Sequence, residues 1–405
     1  MRIAVAALLL AAVAAPAHAQ TQAPAPSPTP TPVATPECGI DFETWRGHVA
    51  DEARAAGVGE VGLAALATAD IDTRVLARDR AQGVFSQTFI EFSSRMISEY
   101  RLKQGAANLK KYADVFARAE QKYGVPGPVI AAFWGLETDF GAVQGDFDTL
   151  NALVTLAHDC RRPELFRPQL VPLLTLIDRG IVPADVKGAW AGEIGQTQIL
   201  PTDYLLRGVD GDGDSRIDLR GSAPDVIMTT ANKIQHRGWK AGQPWLVEIR
   251  VPDDMPWDQT GRTNKLPVAK WTEWGVTNRD GSPLLDHGLN AGVVLPMGRK
   301  GPAFLSYDNY DIYLQWNQSA IYTLTAAVLA TRLAGAPPYD KRNPEPGLIG
   351  DAMRELQQKL ADKGYDVGGI DGILGVNTRE AVRQEQMKLG LPVDGWPTPA
   401  LLGMM

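Results

Sequence analysis

A mainly α-helical protein, interrupted by a stretch of strand and loop and closed by a small three-helix module, is predicted by three features of the sequence. Apolar residues recur at helical spacing from residue 42 to 122, for example Leu109, Ala113, Phe116 and Ala117, among strong helix formers. Between Trp245 and about Tyr313 the period changes: Val247, Ile249 and Val251 alternate with charged residues, and Pro, Gly and Asp-Gly turns become frequent. Helical patterning resumes at Ile321 to Leu333, and again beyond a Pro/Gly-rich connector, Gly335 to Gly347.

At 405 residues, 44% hydrophobic and 21% charged, the chain can bury a large core and has the length of about two domains. A formal net charge of -7 without a basic patch excludes nucleic acid as a partner.

The chain begins with features of export. Arg2 is a short positive region, Ile3 to Ala15 an apolar stretch, and Ala17-His18-Ala19 a small-residue cleavage site, so residues 1–19 read as a signal peptide cut after Ala19. No cysteine follows the cut, which argues against a lipid anchor. No other run reaches the roughly 18 apolar residues of a membrane span. Residues 20–37 alternate Pro with Ala, Thr and Ser and form an extended tether, with folded protein starting at Cys38. In an oxidising compartment Cys38 and Cys160 are expected to pair, closing a long loop worth roughly 2–4 kcal/mol. The alternative is a catalytic Cys160 thiol, activated by Arg161-Arg162 with His158 nearby; residues so close in sequence rarely form a Cys–His catalytic pair.

Pro126 and Pro128 open a helix on which Ile130, Phe133, Trp134 and Glu137 share one face. Burial there disfavours an ionised carboxyl, and Gly141 is placed to end the helix just after Glu137, so the negative end of the helix dipole adds to the upward push on its pKa. Such a Glu can stay protonated near neutrality and act as a general acid. The structural alternative is a Glu that snorkels or pairs with an Arg. Asp139 lies about 200° round the helix from Glu137, so the two are not a natural glycosidase pair. Downstream, residues 188–206 form a small-residue loop whose amides can line a sugar cleft, and Asn317 and Tyr322 add polar groups.

These segments resemble the B-type membrane-bound lytic murein transglycosylases. The resemblance is carried by Trp134-Gly135-Leu136-Glu137-Thr138-Asp139-Phe140-Gly141, Ala191-Gly192 to Pro201, Val209-Asp210-Gly211-Asp212-Gly213-Asp214, and Trp316-Asn317-Gln318-Ser319 to Tyr322, and it runs from about Phe42 to Leu333. It implies a lysozyme-like domain over residues 38–336, with Glu137 as the only catalytic carboxylate. That residue would cleave the β-1,4 bond between N-acetylmuramic acid and N-acetylglucosamine to give 1,6-anhydromuramyl ends. It further implies that Gln198, Trp316, Asn317 and Tyr322 bind substrate or orient the acid and that no cofactor is needed for catalysis; the export signal makes the periplasm the expected compartment. Proteins of wall synthesis stay open as further partners. Three positions depart from the family pattern: Ala189 where Ser is usual, Glu193 where a small residue is usual, and Trp316 where Tyr is common. Glu193 is read as a surface charge of the loop, with a second carboxylate near the site as the alternative.

Asp210, Asp212, Asp214 and Asp218 occupy positions 1, 3, 5 and 9 of a calcium loop, with apolar Ile217 at position 8. Gly221 stands at position 12, where an EF-hand has Glu. The family resemblance completes the loop with a later Asp, here Asp225, and Arg216 would offer its backbone carbonyl. A structural calcium ion is expected, the alternative being a metal-free Asp/Gly turn.

After a linker at 337–348, residues 349–405 read as a separate module. Leu356, Leu360 and Lys363 belong to one helix, Thr378 to Leu389 to a second, and Pro397-Thr398-Pro399 starts a third. Ile370-Asp371-Gly372 is echoed by Val393-Asp394-Gly395. With Leu356-Gln357, Gly364-Tyr365 and Thr378-Arg379-Glu380-Ala381, this pattern resembles the three-helix peptidoglycan-binding domain, which makes peptidoglycan strands the expected partner. Two other readings survive the sequence: a hydrolytic muramidase, and a non-catalytic, calcium-stabilised wall-binding scaffold.

Overall fold

The computed structural model describes residues 39–81 and 87–405. Residues 1–38, which include the expected signal peptide, the expected tether and Cys38, lie outside the described residues. The helical texture over residues 42–122 resolves into α1 (Phe42–Ala55), α2 (Glu60–Thr68), α3 (Thr73–Arg80), α4 (Phe89–Met96), α5 (Glu99–Lys111) and α6 (Ala113–Tyr123). Their starts are locally encoded: Asp41, Asp72 and Ser98 accept backbone N–H groups of the first turn, and Thr88 forms a capping box with Glu91.

α7 (Gly127–Thr138) is the central helix. It is enclosed nearly all round, with Val129, Ala131 and Ala132 as deeply buried as Ile130 and Phe133, so one apolar stripe understates its setting. It stops earlier than the sequence implied. Asp139 and Phe140 both adopt left-handed φ, of 51° and 60°, and their N–H groups bond back to Gly135 and Trp134 carbonyls. Gly141 follows with φ 91°, where a Cβ would stand 2.4 Å from Gln196 Oε1, so glycine there serves a close approach as well as a turn.

α8 (Thr149–His158) and α9 (Pro163–Asp178) pack against α1 and α2 to form a second core, with Leu153, Leu170 and Leu174 at its centre. The two-residue strands β1 (Phe147–Asp148) and β2 (Lys187–Gly188) pair ahead of α10 (Pro201–Arg207) and α11 (Ala223–His236). The strand-and-loop segment contains β3 (Leu246–Arg250), β4 (Leu266–Pro267), α12 (Val268–Glu273), β5 (Thr277–Asn278), β6 (Asn290–Val294) and β7 (Phe304–Ser306). The sheet is antiparallel in the order β4-β6-β7-β3-β5 and carries its own core around Trp271, Val293 and Leu305. α13 (Asp308–Trp316) and α14 (Ala320–Leu333) then return the chain to α7, so a residue from each can reach the end of the central helix.

The C-terminal residues form α15 (Gly350–Asp362), α16 (Val376–Lys388) and α17 (Pro399–Gly403) around Leu356, Leu360 and Val382. The sequence echo is a structural one. Gln357 donates to Asp371 Oδ1 at 3.0 Å and accepts Gly372 N–H at 2.8 Å; Gln386 does the same with Asp394 and Gly395 at 2.9 and 2.8 Å. The second unit faces inward. Trp396 joins the main core, and the guanidinium of Arg379 donates to the carbonyls of Leu295 and Pro296 at 3.3 and 3.1 Å. Burial brings the Arg379 pKa down to about 10. Arg383 reaches the Asp258 carbonyl at 2.8 Å. Among the described residues no helix is long and apolar enough to cross a membrane.

Candidate active site

Glu137 sits on the last turn of α7, densely surrounded yet with part of its surface open. One oxygen, Oε1, accepts two hydrogen bonds: the Trp316 indole N–H at 2.8 Å and the Tyr322 hydroxyl at 2.5 Å. Both donors are on one oxygen, so a proton on the carboxyl belongs on Oε2. Burial pushes the Glu137 pKa up; Tyr322, Trp316 and the Lys233 charge oppose it without reversing the direction. The Tyr322 hydroxyl is itself held well above the usual tyrosine range, by burial and by the Glu137 charge, and so stays a donor. Trp316 is stacked on Phe133 with ring centroids 4.3 Å apart. The loss of the phenol at this position is compensated, since the indole N–H supplies the donor.

The loop from Gly188 to Ile199 borders the same space. It is pinned by Ala189 N–H to the Glu193 carbonyl at 2.9 Å and by paired bonds between Ile194 and Ile199. Gln196 ties it to α7: its Oε1 accepts the Trp134 indole N–H at 2.8 Å and its carbonyl accepts the Thr138 hydroxyl at 2.5 Å. Gln198, with φ 50°, donates to the carbonyls of Gly195 at 2.9 Å and Gln144 at 3.4 Å; it makes no bond to Glu137. Asn317 also stays off the acid, its Oδ1 accepting Ser319 N–H at 2.9 Å at the start of α14. Of the four expected substrate residues, only Trp316 and Tyr322 touch Glu137. Asp139 turns away and pairs with Arg101 at 2.8 Å.

Glu193 is not the surface charge that the loop composition suggested. Its carboxyl is pushed up by burial and by the charge of Glu137, with Lys233 and Arg162 pulling the other way. A second carboxyl therefore shares the field of the first. The arginines that follow Cys160 do not activate a thiol. Arg161 and Arg162 both bind the fully buried Asp79. Cys160 is not a free thiol.

In the aspartate loop, carboxylate oxygens of Asp210, Asp212 and Asp214 lie within 4.8 Å of one another. Asp225 does not join that group. It is buried, with its two oxygens accepting Gly211 N–H and Asp218 N–H, each at 2.7 Å, which shapes the loop from beneath. Arg216 is exposed and donates its N–H to Asp214 Oδ1 at 2.8 Å. Three clustered hard oxygens fit a calcium ion better than a softer metal.

Comparison with known proteins places this geometry. Residues 41–331 match the transglycosylase SLT domain. The chain belongs to the SLT transglycosylase family. Residues 349–405 match a putative peptidoglycan binding domain. The chain is 28% identical over 248 residues to membrane-bound lytic murein transglycosylase B of Escherichia coli (strain K12), covering 61% of this chain and 67% of that protein. It is similar to the crystal structure of SltB3 from Pseudomonas aeruginosa in complex with NAG-anhNAM-pentapeptide, with TM-score 0.82, 36% identity, and coverage of 90% of this chain and 99% of that one. The Escherichia coli Slt35 structure in complex with calcium matches with TM-score 0.61 and 26% identity over 73% of this chain and 95% of that one. The protein is a lytic transglycosylase of the B type, with a lysozyme-like fold, and acts on peptidoglycan.

Within this transglycosylase, sequence reasoning missed Lys233, whose Nζ lies 4.1 Å from the centre of the Trp316 ring. The signal was present. Val226, Thr230 and Lys233 follow at i, i+4 and i+7, so a lysine falls on the buried stripe of α11.

Proposed function

We propose that Glu137 is the single acid and base of the reaction, and that the β-1,4 bond between N-acetylmuramic acid and N-acetylglucosamine is the one cut. Oε2 gives its proton to the bridging oxygen as the bond to the muramyl C1 breaks. The resulting carboxylate then takes the proton of the muramyl 6-hydroxyl as O6 bonds to C1. The product is a 1,6-anhydromuramyl end, and Glu137 is left protonated for the next turnover without water being consumed. The observation that carries this reading is the pair of donors on Oε1, which leaves one oxygen to shuttle the proton. Water attacking in place of O6 would use the same Glu137 carboxylate as base, and a separate base is not favoured at Glu193, whose pKa burial and the Glu137 charge push up; the product distinguishes the two reactions. Digestion of purified sacculi followed by mass spectrometry is expected to give muropeptides lighter by one water than reducing-end products; reducing ends alone would overturn the assignment.

Gln198 and Asn317 are assigned to the sugar rather than to the acid, because neither touches Glu137. Residues 38–336 form the catalytic part and 349–405 the wall-binding module, joined through 337–348. The enzyme is exported to the periplasm by residues 1–19, and Cys38 pairs with Cys160. Asp210, Asp212, Asp214 and the Arg216 carbonyl hold a structural calcium ion whose charge relieves the crowding of three carboxylates, while Asp225, expected as a further ligand, shapes the loop through its two backbone contacts. Calcium is expected to raise the melting temperature by a few degrees, as binding to the folded state alone does. Asp212→Asn should abolish the increment and leave lysis in calcium-free buffer unchanged. An equal increment in the variant would remove the metal from this loop.

A further inference from the structure

Lys233 points into the protein. Its side chain is 7% exposed, and burial holds its pKa below the usual lysine range, with Asp203 opposing. The ammonium group has two neighbours of different kinds. Asp203 Oδ2, from α10, lies at 3.1 Å and also takes Arg237 at 3.2 Å. The other neighbour is the Trp316 ring at 4.1 Å, and that indole donates to Glu137 Oε1 at 2.8 Å. An ion pair alone would need only Asp203. A desolvated cation over an aromatic face is attracted to the ring, and indole is the best of the aromatic partners. One line of contacts therefore runs from Asp203 through Lys233 and Trp316 to Glu137, joining α10, α11, α13 and α7.

We propose that Lys233 is a positioning residue for the acid, holding the Trp316 indole N–H on Glu137 Oε1 and placing a fixed positive charge behind that contact. The proposal rests on Glu137 being the acid. The other charged and titratable groups that face this line come from every side. Arg237 lies beyond Asp203, Glu193 feels both Glu137 and Lys233, Arg162 reaches Glu193, and Tyr322 of α14 shares Oε1, with Arg101 of α5 beyond it. Against burial, which raises the Glu137 pKa, Lys233 pulls it down. Removing the cation therefore raises it. The acid must be protonated, so activity is lost as pH rises through that pKa; without Lys233 the loss comes at higher pH.

Lys233→Met keeps the length of the stem and removes the charge, while Lys233→Arg keeps the charge. On soluble peptidoglycan strands, Lys233→Met is expected to lower kcat about tenfold with little change in KM, because the donor on the acid is less well held. The alkaline limb of its pH profile should move up by about one pH unit. Lys233→Arg should return the limb to its original place. Lys233→Met leaves Asp203 facing Arg237 alone, so Asp203→Asn/Lys233→Met, which removes both charges, is measured beside it and should show the same displaced limb. An alkaline limb that stays in place in both charge-free proteins overturns the proposal, as does an equal displacement in Lys233→Arg. If Glu137→Gln still cuts strands, the assignment of the acid fails and takes this proposal with it. If Glu137→Gln is inactive and the limb does not move, only the role of Lys233 falls.

Discussion

Glu137→Gln is expected to slow lysis of sacculi by more than about a thousandfold, the upper part of the range for a general acid, because one carboxyl serves both proton transfers. The variant should fold. A glutamine carbonyl can still accept the Trp316 N–H and the Tyr322 hydroxyl, so the contacts that place the side chain survive while the transferable proton is lost. Binding to sacculi through residues 349–405 should be unaffected, which separates failure to cut from failure to bind. There is also a signature in stability. A carboxyl whose folded pKa is raised binds its proton more tightly in the folded protein, so its contribution is complete below the unfolded value of about 4.3 and declines as pH rises through the folded pKa. Glutamine carries no such penalty. Denaturant unfolding at neutral to alkaline pH is expected to find the variant at least as stable as the parent. Lysis at the parental rate would move the acid elsewhere, with Glu193 the first group to test.

What the sequence shows of this site follows from which forces are local. Glu137 is legible because three apolar neighbours at helical spacing put it on a buried face, and the resemblance brought Tyr322 and Trp316 into the same account. The end of α7 is less legible, since Asp139 and Phe140 take left-handed conformations that only tertiary contacts with Arg101 and Trp134 make tolerable. Glu193 misleads for a similar reason: a Gly-rich loop usually faces solvent, and this one is folded back over α7 by Gln196. Lys233 was visible as a lysine on an apolar stripe, but no spacing rule names Trp316, 83 positions later, as its partner. The docking of the C-terminal module through Arg379, Arg383 and Trp396 is of the same kind, because most of the acceptors are backbone carbonyls, which composition does not reveal.

Asp79→Ala is expected to have the largest effect on stability, about 1.5–3 kcal/mol, since the arginines it leaves behind are partly open to solvent and lose charged hydrogen bonds rather than a fully buried counter-ion. Asp79 lies in the last turn of α3 with no exposed surface and is the common anion of three arginines. Arg161 Nη1 binds Oδ2 at 2.6 Å, Arg162 binds Oδ1, and Arg80 approaches Oδ2 at 3.4 Å. Truncation leaves the guanidinium groups of Arg161 and Arg162 without that counter-charge, whereas Arg80 keeps a second carboxylate, Asp159 at 2.6 Å. Burial raises the Asp79 pKa, but the two arginines outweigh it and hold the carboxyl below its usual range. Its stabilisation is therefore present above the unfolded value of about 3.9 and is lost as pH falls through the folded pKa. Unfolding in denaturant at neutral pH measures the loss, and the parent's decline in stability toward acid pH should be shallower in the variant. A change below about 1 kcal/mol would show that solvent, not Asp79, satisfies the arginines. The consequence reaches the active site, because Arg162 caps α9, lies over Trp190 at 5.9 Å and is one of the two cations that act on Glu193. Activity per folded molecule should therefore change along with stability, which a purely distant structural ion pair would not produce.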